Sequence, residues 1–253
     1  MKSKQLFYIF LSFLFTIYTS VLAAQDSLPF RSLVFNTVTS NYNFRPAEVF
    51  LRGTIRSPFD QTDHYLQPSS LIIPETLIIY GALKPVINGI PKLDNTIMTS
   101  IQEHHPGFQT NAANYLMWAP SASVYAMDAF NVETPHSFTQ HLVIDAGSIL
   151  LTGGIGYGMR IISSNIKVYK SDKTQFPSGH TANAFRGAEI LHQELKDNYP
   201  VWSYSGYFLA AGVGILRMYT QQHYLSDVLA GAGLGIISTK LTYWIFQKLQ
   251  IIE

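Results

Sequence analysis

Residues 71–249 are written as a succession of apolar stretches, each long enough for a helix and separated by prolines or polar turns. Helical segments are expected at 71–90, 110–130, 137–160, 178–195, 202–218 and 225–249, with a shorter one at 92–104. Pro74, Pro85 and Pro120 should cap or kink the earlier ones, since proline lacks the N–H that a helix interior uses. Apolar helices must bury a face against one another, so the expected fold is all-α, a compact helical bundle. Charged residues make up only 13% of the 253 and hydrophobic ones 47%, which is apolar beside the usual quarter charged. Even so, 142–159 contains Asp145 and several glycines, 228–246 contains Lys240, and 71–90 contains Glu75 and Lys84. Each falls short of the roughly twenty unbroken apolar residues of a clean membrane span. Core helices of an exported globular domain are therefore the expectation, with membrane association as the alternative.

The N-terminus has the layout of a secretory signal. Lys2 and Lys4 precede an apolar run over 6–22, and Val21-Leu22-Ala23-Ala24 offers small residues for cleavage. An uncleaved anchor is the competing reading. The expected organisation is a signal peptide at 1–24, a loop-rich extension at 25–70 with a short strand near 49–55, and a helical domain at 71–253. That places the domain outside the cytoplasm, in the periplasm or cell envelope. With no cysteine, an exported fold relies on its core rather than on disulfides. A formal net charge of +1 with no basic run carries no nucleic-acid signal.

Chemistry concentrates in one stretch of the C-terminal half. Pro177-Ser178-Gly179-His180 precedes a helical pattern, and proline is favoured in the first helical turn. The N–H groups of such a turn, with the positive end of the helix dipole, form an anion site. Gly179 lets a phosphate approach the backbone, Ser178 adds a hydroxyl donor, and His180 sits where it can protonate a leaving oxygen. An ordinary capped helix with an incidental histidine is the plainer alternative. Arg217 then closes one apolar segment and His223 follows a polar break. His223 and Asp227 are four apart, a spacing that shares a helix face. A carboxylate on one ring nitrogen fixes the tautomer and frees the other to attack. Arg217 brings a planar fork of donors suited to phosphate oxygens.

Together, Pro177-Ser178-Gly179-His180 and Arg217-x5-His223-x3-Asp227 resemble the second and third signatures of the type 2 phosphatidic acid phosphatase superfamily. That superfamily includes bacterial acid phosphatases, lipid phosphate phosphatases and vanadium haloperoxidases. The resemblance implies a helical bundle of that type and a phosphohydrolase needing no metal or other cofactor. It implies His223 as nucleophile forming a phosphohistidine, Asp227 orienting it and His180 as general acid. Ser178, the Gly179 amide and Arg217 would bind the phosphoryl oxygens. The first signature departs from the family's lysine, six residues, arginine, proline. Here Arg160 and Lys167 carry the two charges in exchanged order, and Val168 stands in place of the proline. Lys167 loses the bidentate fork, which predicts lower activity or an altered substrate; solvated helix-end charges are the alternative. Leu216 stands where many relatives carry serine.

The expected partner is a phosphorylated small molecule or a lipid phosphate. A vanadate-dependent haloperoxidase and a non-catalytic phosphate- or lipid-binding protein are the other two readings. His104-His105 lack the carboxylate or cysteine pattern of a metal site, and His64, His136, His141 and His192 belong to no visible constellation. Tyr219 and Tyr224 flank the nucleophile turn and suit either a pocket wall or packing. Gly231-x-Gly233-x-Gly235 lies within a helical run, so it reads as close helix packing rather than as a nucleotide loop.

Overall fold

A computed structural model of the chain describes residues 65–165 and 175–252. The signal peptide, most of the extension with its expected strand, His64 and Lys167 lie outside these residues. Eight α-helices are described: α1 Pro68–Ala82, α2 Gly89–His104, α3 Ala112–Leu116, α4 Ala119–Ala129, α5 Phe138–Ser164, α6 Gly179–Leu195, α7 Ser205–Tyr219 and α8 Leu225–Lys248. A 3-10 turn at Trp202–Tyr204 precedes α7. Among the described residues there is no strand, and the all-α expectation holds.

Local sequence sets the ends. The expected helix over 71–90 starts earlier, at Pro68, and stops at Ala82. Pro85 follows within three residues, and it can neither donate into a continuing helix nor leave its predecessor helical. Pro74, by contrast, stays inside α1 rather than ending it. The stretch over 110–130 divides into α3 and α4 at Met117 and Trp118, with Pro120 in the first turn of α4. At α5 a capping box does the work: Gln140 Oε1 accepts the Ser137 N–H at 2.9 Å and the Ser137 hydroxyl at 3.0 Å.

α6 is the hub, packed against α8, α7, α4 and α5. Ile190, Leu191 and Leu195 meet Val124, Ile144 and Tyr243 in one apolar cluster. Ala184 and Ala188 meet Ala210 and Val213 in another. The glycine row of α8 is indeed a packing device. A Cβ on Gly231 would sit 2.5 Å from the Ser178 carbonyl oxygen, and one on Gly235 would overlap that of Ala182, both on the α6 side. One on Gly233 would overlap the Pro74 carbonyl of α1. Three backbones thus approach within direct contact, which only a missing side chain allows.

α5 behaves differently. Its 27 residues have mean hydropathy 1.4 over the most apolar window, of which only 22% is buried. Leu142, Leu150, Tyr157 and Ile161 stand exposed. Asp145, the residue that interrupts the apolar pattern, turns inward to the Arg186 guanidinium at 2.5 Å. The outward face of α5 is therefore apolar despite Asp145. α8 is also long and apolar enough to cross a membrane, but 72% of its window is buried inside the bundle.

Candidate active site

The turn before α6 does not fall as the sequence pattern predicts. Helix α6 begins at Gly179 with Ser178 as N-cap, so Pro177 lies one residue outside the helix rather than in its first turn. Ser178 has extended backbone angles and is fully buried. Its hydroxyl lies 2.9 Å from that of Thr181, and the Ala182 N–H donates to its carbonyl. The Ser178 N–H donates to the Asp227 carbonyl at 3.0 Å, a main-chain bond joining the start of α6 to the start of α8. Gly179, exposed, presents the positive end of α6 to solvent.

The spacing Arg217-x5-His223 is a helix-ending turn. Gln222 N–H donates to the Arg217 carbonyl at 3.0 Å, and Gln221 N–H to that of Met218 at 2.9 Å, the two bonds of a Schellman motif. Gln221 takes the left-handed conformation usually given to glycine, with φ 56°. His223 N–H also reaches the Arg217 carbonyl, at 3.3 Å. The turn thus folds His223 back onto the helix end that carries Arg217.

His223 precedes α8 rather than sharing a helical face with Asp227, as the four-residue spacing had suggested. Asp227 is the third residue of α8, and its Oδ2 reaches back to accept the Tyr224 N–H at 3.0 Å. That reach-back brings Oδ2 to 3.6 Å from His223 Nδ1, an ion-pair distance rather than a hydrogen bond. His223 Nδ1, Asp227 Oδ1 and Arg217 Nε are buried with no hydrogen-bond partner among the described residues.

These elements enclose one cavity of about 670 Å³. His180 and His223 both line it, with Arg160, Arg217 and Gly179. The Arg160 Nη2 comes within 4.0 Å of where a Cβ on Gly179 would stand. The cavity therefore gathers two guanidinium groups, two imidazoles and a helix N-terminus, and is built for an anion. Its field acts on its own members: burial, then the nearby Arg217 and His223, lower the His180 pKa from 6.5 to about 4.

Of the residues singled out from sequence, Arg160, Gly179, His180, Arg217 and His223 meet at this cavity, and Asp227 stands directly behind His223. Ser178 supports the turn, but its hydroxyl faces Thr181 and it is not part of the cavity wall. Tyr219 packs instead against the rings of His105 and Phe108.

Other wall residues gave less signal. Asn183 lies three residues past His180 on α6, one turn along the same face, a placement readable from helical spacing. Its amide oxygen accepts from Arg186 Nε at 3.0 Å and its nitrogen donates to the Met117 carbonyl at 3.2 Å. Arg186, fully buried, also binds Ser148 Oγ at 2.9 Å and Ser121 Oγ at 3.1 Å. Asn114 comes from α3, 66 residues away in sequence, and its Oδ1 lies 2.8 Å from His180 Nε2. Nothing local in the sequence announces that contact. Met117 and Trp118 add an apolar wall.

The remaining histidines are not all solitary. His136 Nδ1 lies 2.9 Å from Glu194 Oε1, and His141 bridges Asp128 at 2.9 Å and Glu194 Oε2 at 3.1 Å. Tyr243 donates to Glu194 at 2.5 Å. This buried network contradicts the expectation that His136 and His141 stand alone. It ties α4, α5, α6 and α8 together near Glu194, fifteen residues after Gly179 on α6 and so about 21 Å from His180. His192 likewise pairs with Ser203 Oγ at 3.0 Å. Among the described residues no group of His, Asp and Glu is arranged to hold a metal.

Comparison with known proteins identifies relatives of the chain. The chain is 33% identical over 139 residues to the lipid A 1-phosphatase of Porphyromonas gingivalis, covering 54% of this chain and 31% of that one. It is 36% identical over 78 residues to a bacitracin transport permease protein of Bacillus licheniformis, covering 31% of this chain and 36% of the other. The chain thus spans about a third of the length of these curated relatives. A transmembrane PAP2-type phosphatidylglycerolphosphate phosphatase from Bacillus subtilis is similar in structure, with TM-score 0.40 and 20% identity, over 72% of this chain and 96% of that one. Residues 116–251 match the sequence profile of the PAP2 superfamily. That stretch runs from the wall of the cavity through both imidazoles to the end of α8, and the chain belongs to the PAP2 superfamily.

Proposed function

We propose that the protein is a metal-independent phosphohydrolase acting on lipid phosphates or diphosphates through a phosphohistidine at His223. The observation that carries this reading is the convergence of His180, His223, Arg160, Arg217 and Gly179 on one cavity. The Asp227 carboxylate beside Nδ1 favours the tautomer protonated there, leaving Nε2 with its lone pair. Nε2 attacks phosphorus, the bond from phosphorus to the ester oxygen breaks, and protonated His180 delivers its proton to that oxygen. Water then attacks the phosphohistidine, neutral His180 takes a proton from it, and the P–N bond breaks to release phosphate and restore His223. Arg160, Arg217 and the first turn of α6 meet the charge that builds on the equatorial oxygens. Lys167 joins them as a phosphate-binding cation. Ser178 acts by fixing the turn rather than by touching phosphate.

Burial, then repulsion from Arg217 and His223, holds down the His180 pKa; a phosphate dianion entering the cavity offsets the repulsion and raises that pKa.

A lipid substrate is supported by the apolar outer face of α5, which we place in a bilayer, and by the similarity to a lipid A 1-phosphatase. The apolar wall of Met117 and Trp118 suits an acyl or prenyl chain beside the phosphate. Export of the helical domain is supported by Lys2 and Lys4 ahead of the apolar run over 6–22, the layout of a secretory signal. Phosphate release should be measured from phosphatidate, prenyl diphosphate, lipid A and p-nitrophenyl phosphate with wild type and His223→Ala. A lipid should lead the panel, and the variant should release nothing. Unchanged release by His223→Ala refutes the nucleophile, and halide oxidation with added vanadate but no phosphate release refutes hydrolysis. Recovery from envelope membranes only with detergent is expected; release of the intact protein by an alkaline wash refutes the bilayer placement.

A further inference from the structure

Two buried charges outside the cavity grip the segment between His223 and Asp227. Asp94, in the first half of α2, is 1% exposed, and its carboxylate is fully engaged. Oδ1 accepts the Ser226 N–H at 3.0 Å and Oδ2 accepts the Ser226 hydroxyl at 2.5 Å. Lys84, in the turn between α1 and α2, is equally buried, with Nζ 3.2 Å from Asp94 Oδ2. The same Nζ lies 4.1 Å from the centre of the Tyr224 ring. Tyr224 and Ser226 are therefore held by one ion pair, and they lie between His223 and Asp227, the two residues the reaction uses. α1 backs this turn closely: a Cβ on Gly81 would come within 2.6 Å of the Ser226 carbonyl oxygen.

We propose that Lys84 and Asp94 form a positioning clamp that sets the His223–Asp227 geometry, and with it the aim of the nucleophile. The inference rests on the phosphohydrolase reading. The physical reason is leverage. His223 lies just outside α8, where a chain is free to fray, and Asp227 is already spent in part on the Tyr224 N–H. A carboxylate from another helix, bound to an N–H of the first turn, complements the positive end of α8 and removes that freedom. Support of this kind from behind is what holds a catalytic group to the narrow tolerance that reaction requires. Neither Lys84 nor Asp94 touches the cavity wall, and both precede the stretch 116–251 that defines the family. They are positioning residues.

The test uses the full-length protein in detergent, with kcat and KM per folded molecule and the inhibition constant of vanadate, which mimics the phosphoryl transition state. Asp94→Asn and Lys84→Met should lower kcat about tenfold, leave KM within about twofold and weaken vanadate in step with kcat. Ser226→Ala, which keeps the backbone bond, should lose about threefold, and Lys84→Arg should restore most of what Lys84→Met loses. Melting curves correct for the folded fraction, and should Asp94→Asn not fold, the Ser226 and Lys84 variants carry the comparison. Unchanged kcat and unchanged vanadate inhibition per folded molecule overturn the clamp, as does a rise in KM at constant kcat. His223→Ala keeps the two failures apart. If it is inactive while the clamp variants are fully active, only this inference falls; if it is active, the phosphohydrolase reading falls first.

Discussion

Adding one methyl group at Gly231 should injure activity far more than stability. The Cβ would stand 2.5 Å from the Ser178 carbonyl oxygen and 3.3 Å from both the Ala182 nitrogen and Thr181 Cβ. Ordinary contact begins at 3.4 Å, so α6 and α8 must part locally by roughly 0.9 Å, because a close-packed interior has no slack to absorb it. The atoms that must yield are main chain, so no rotamer change relieves the overlap. Stability receives opposing contributions. Overpacking costs about 1–3 kcal/mol, while replacing glycine by alanine within a helix returns about 1 kcal/mol. The net loss should be about 0–2 kcal/mol. Activity receives no such offset, since Ser178 begins the helix that carries Gly179 and His180, while Gly231 shares α8 with Asp227. A displacement near 1 Å between reacting groups costs on the order of a hundredfold. Gly231→Ala should thus fold with a modestly lowered melting temperature and lose about two orders of magnitude in kcat, measured on the leading lipid substrate. Gly153→Ala, on α5 where a Cβ meets nothing within 4 Å, is the matched control and should be neutral or slightly stabilising. Wild-type kcat in Gly231→Ala refutes the view that close approach of α6 and α8 sets the site.

Three further outcomes follow from the geometry. The His180 ring should titrate near 4 in the unliganded protein, as read by NMR, and Arg217→Gln should move it only part of the way back to 6.5, since burial is the larger cause. Because that pKa is lowered on folding, the unfolded chain binds the extra proton between these values. The His180 contribution to stability is therefore complete above 6.5 and is lost as pH falls toward 4; His180→Gln should flatten that part of the stability–pH curve. Asp145→Ala should destabilise by about 3–5 kcal/mol, because it leaves the fully buried Arg186 without its counter-charge, and adding Arg186→Met should recover much of the loss in melting experiments. Chelators should leave phosphate release unchanged at concentrations that strip bound divalent ions.

Much of this site can be read from the chain because its parts are short-range. Pro177 to His180 and Arg217 to Asp227 each lie within one turn and one helix end, where spacing translates directly into geometry. What differs there is small: Pro177 stands before the N-cap of α6, and Asp227 reaches His223 by folding back from α8 rather than along a shared face. The left-handed Gln221 that ends α7 gave no signal, since glycine is what usually marks such a position. What sequence concealed is long-range. Asn114 on His180, Asp94 on Ser226, and the meeting of His136, His141 and Glu194 depend on which helices become neighbours, and no periodicity encodes that. Asp145 misleads in the opposite direction. As a letter it argues against a membrane span, but paired with Arg186 it leaves the outer face of α5 apolar.

The bond from the Ser178 amide to the Asp227 carbonyl has one more implication. Every amino acid but proline can supply that donor, and every amino acid supplies that acceptor. That bond is therefore independent of the side chains that positions 178 and 227 carry. Residues at the rim, such as Trp118 and Gln222, can drift to admit a new headgroup or tail while the stitched strands of main chain keep their alignment. A scaffold joined in this way can change its customers without retooling its machinery.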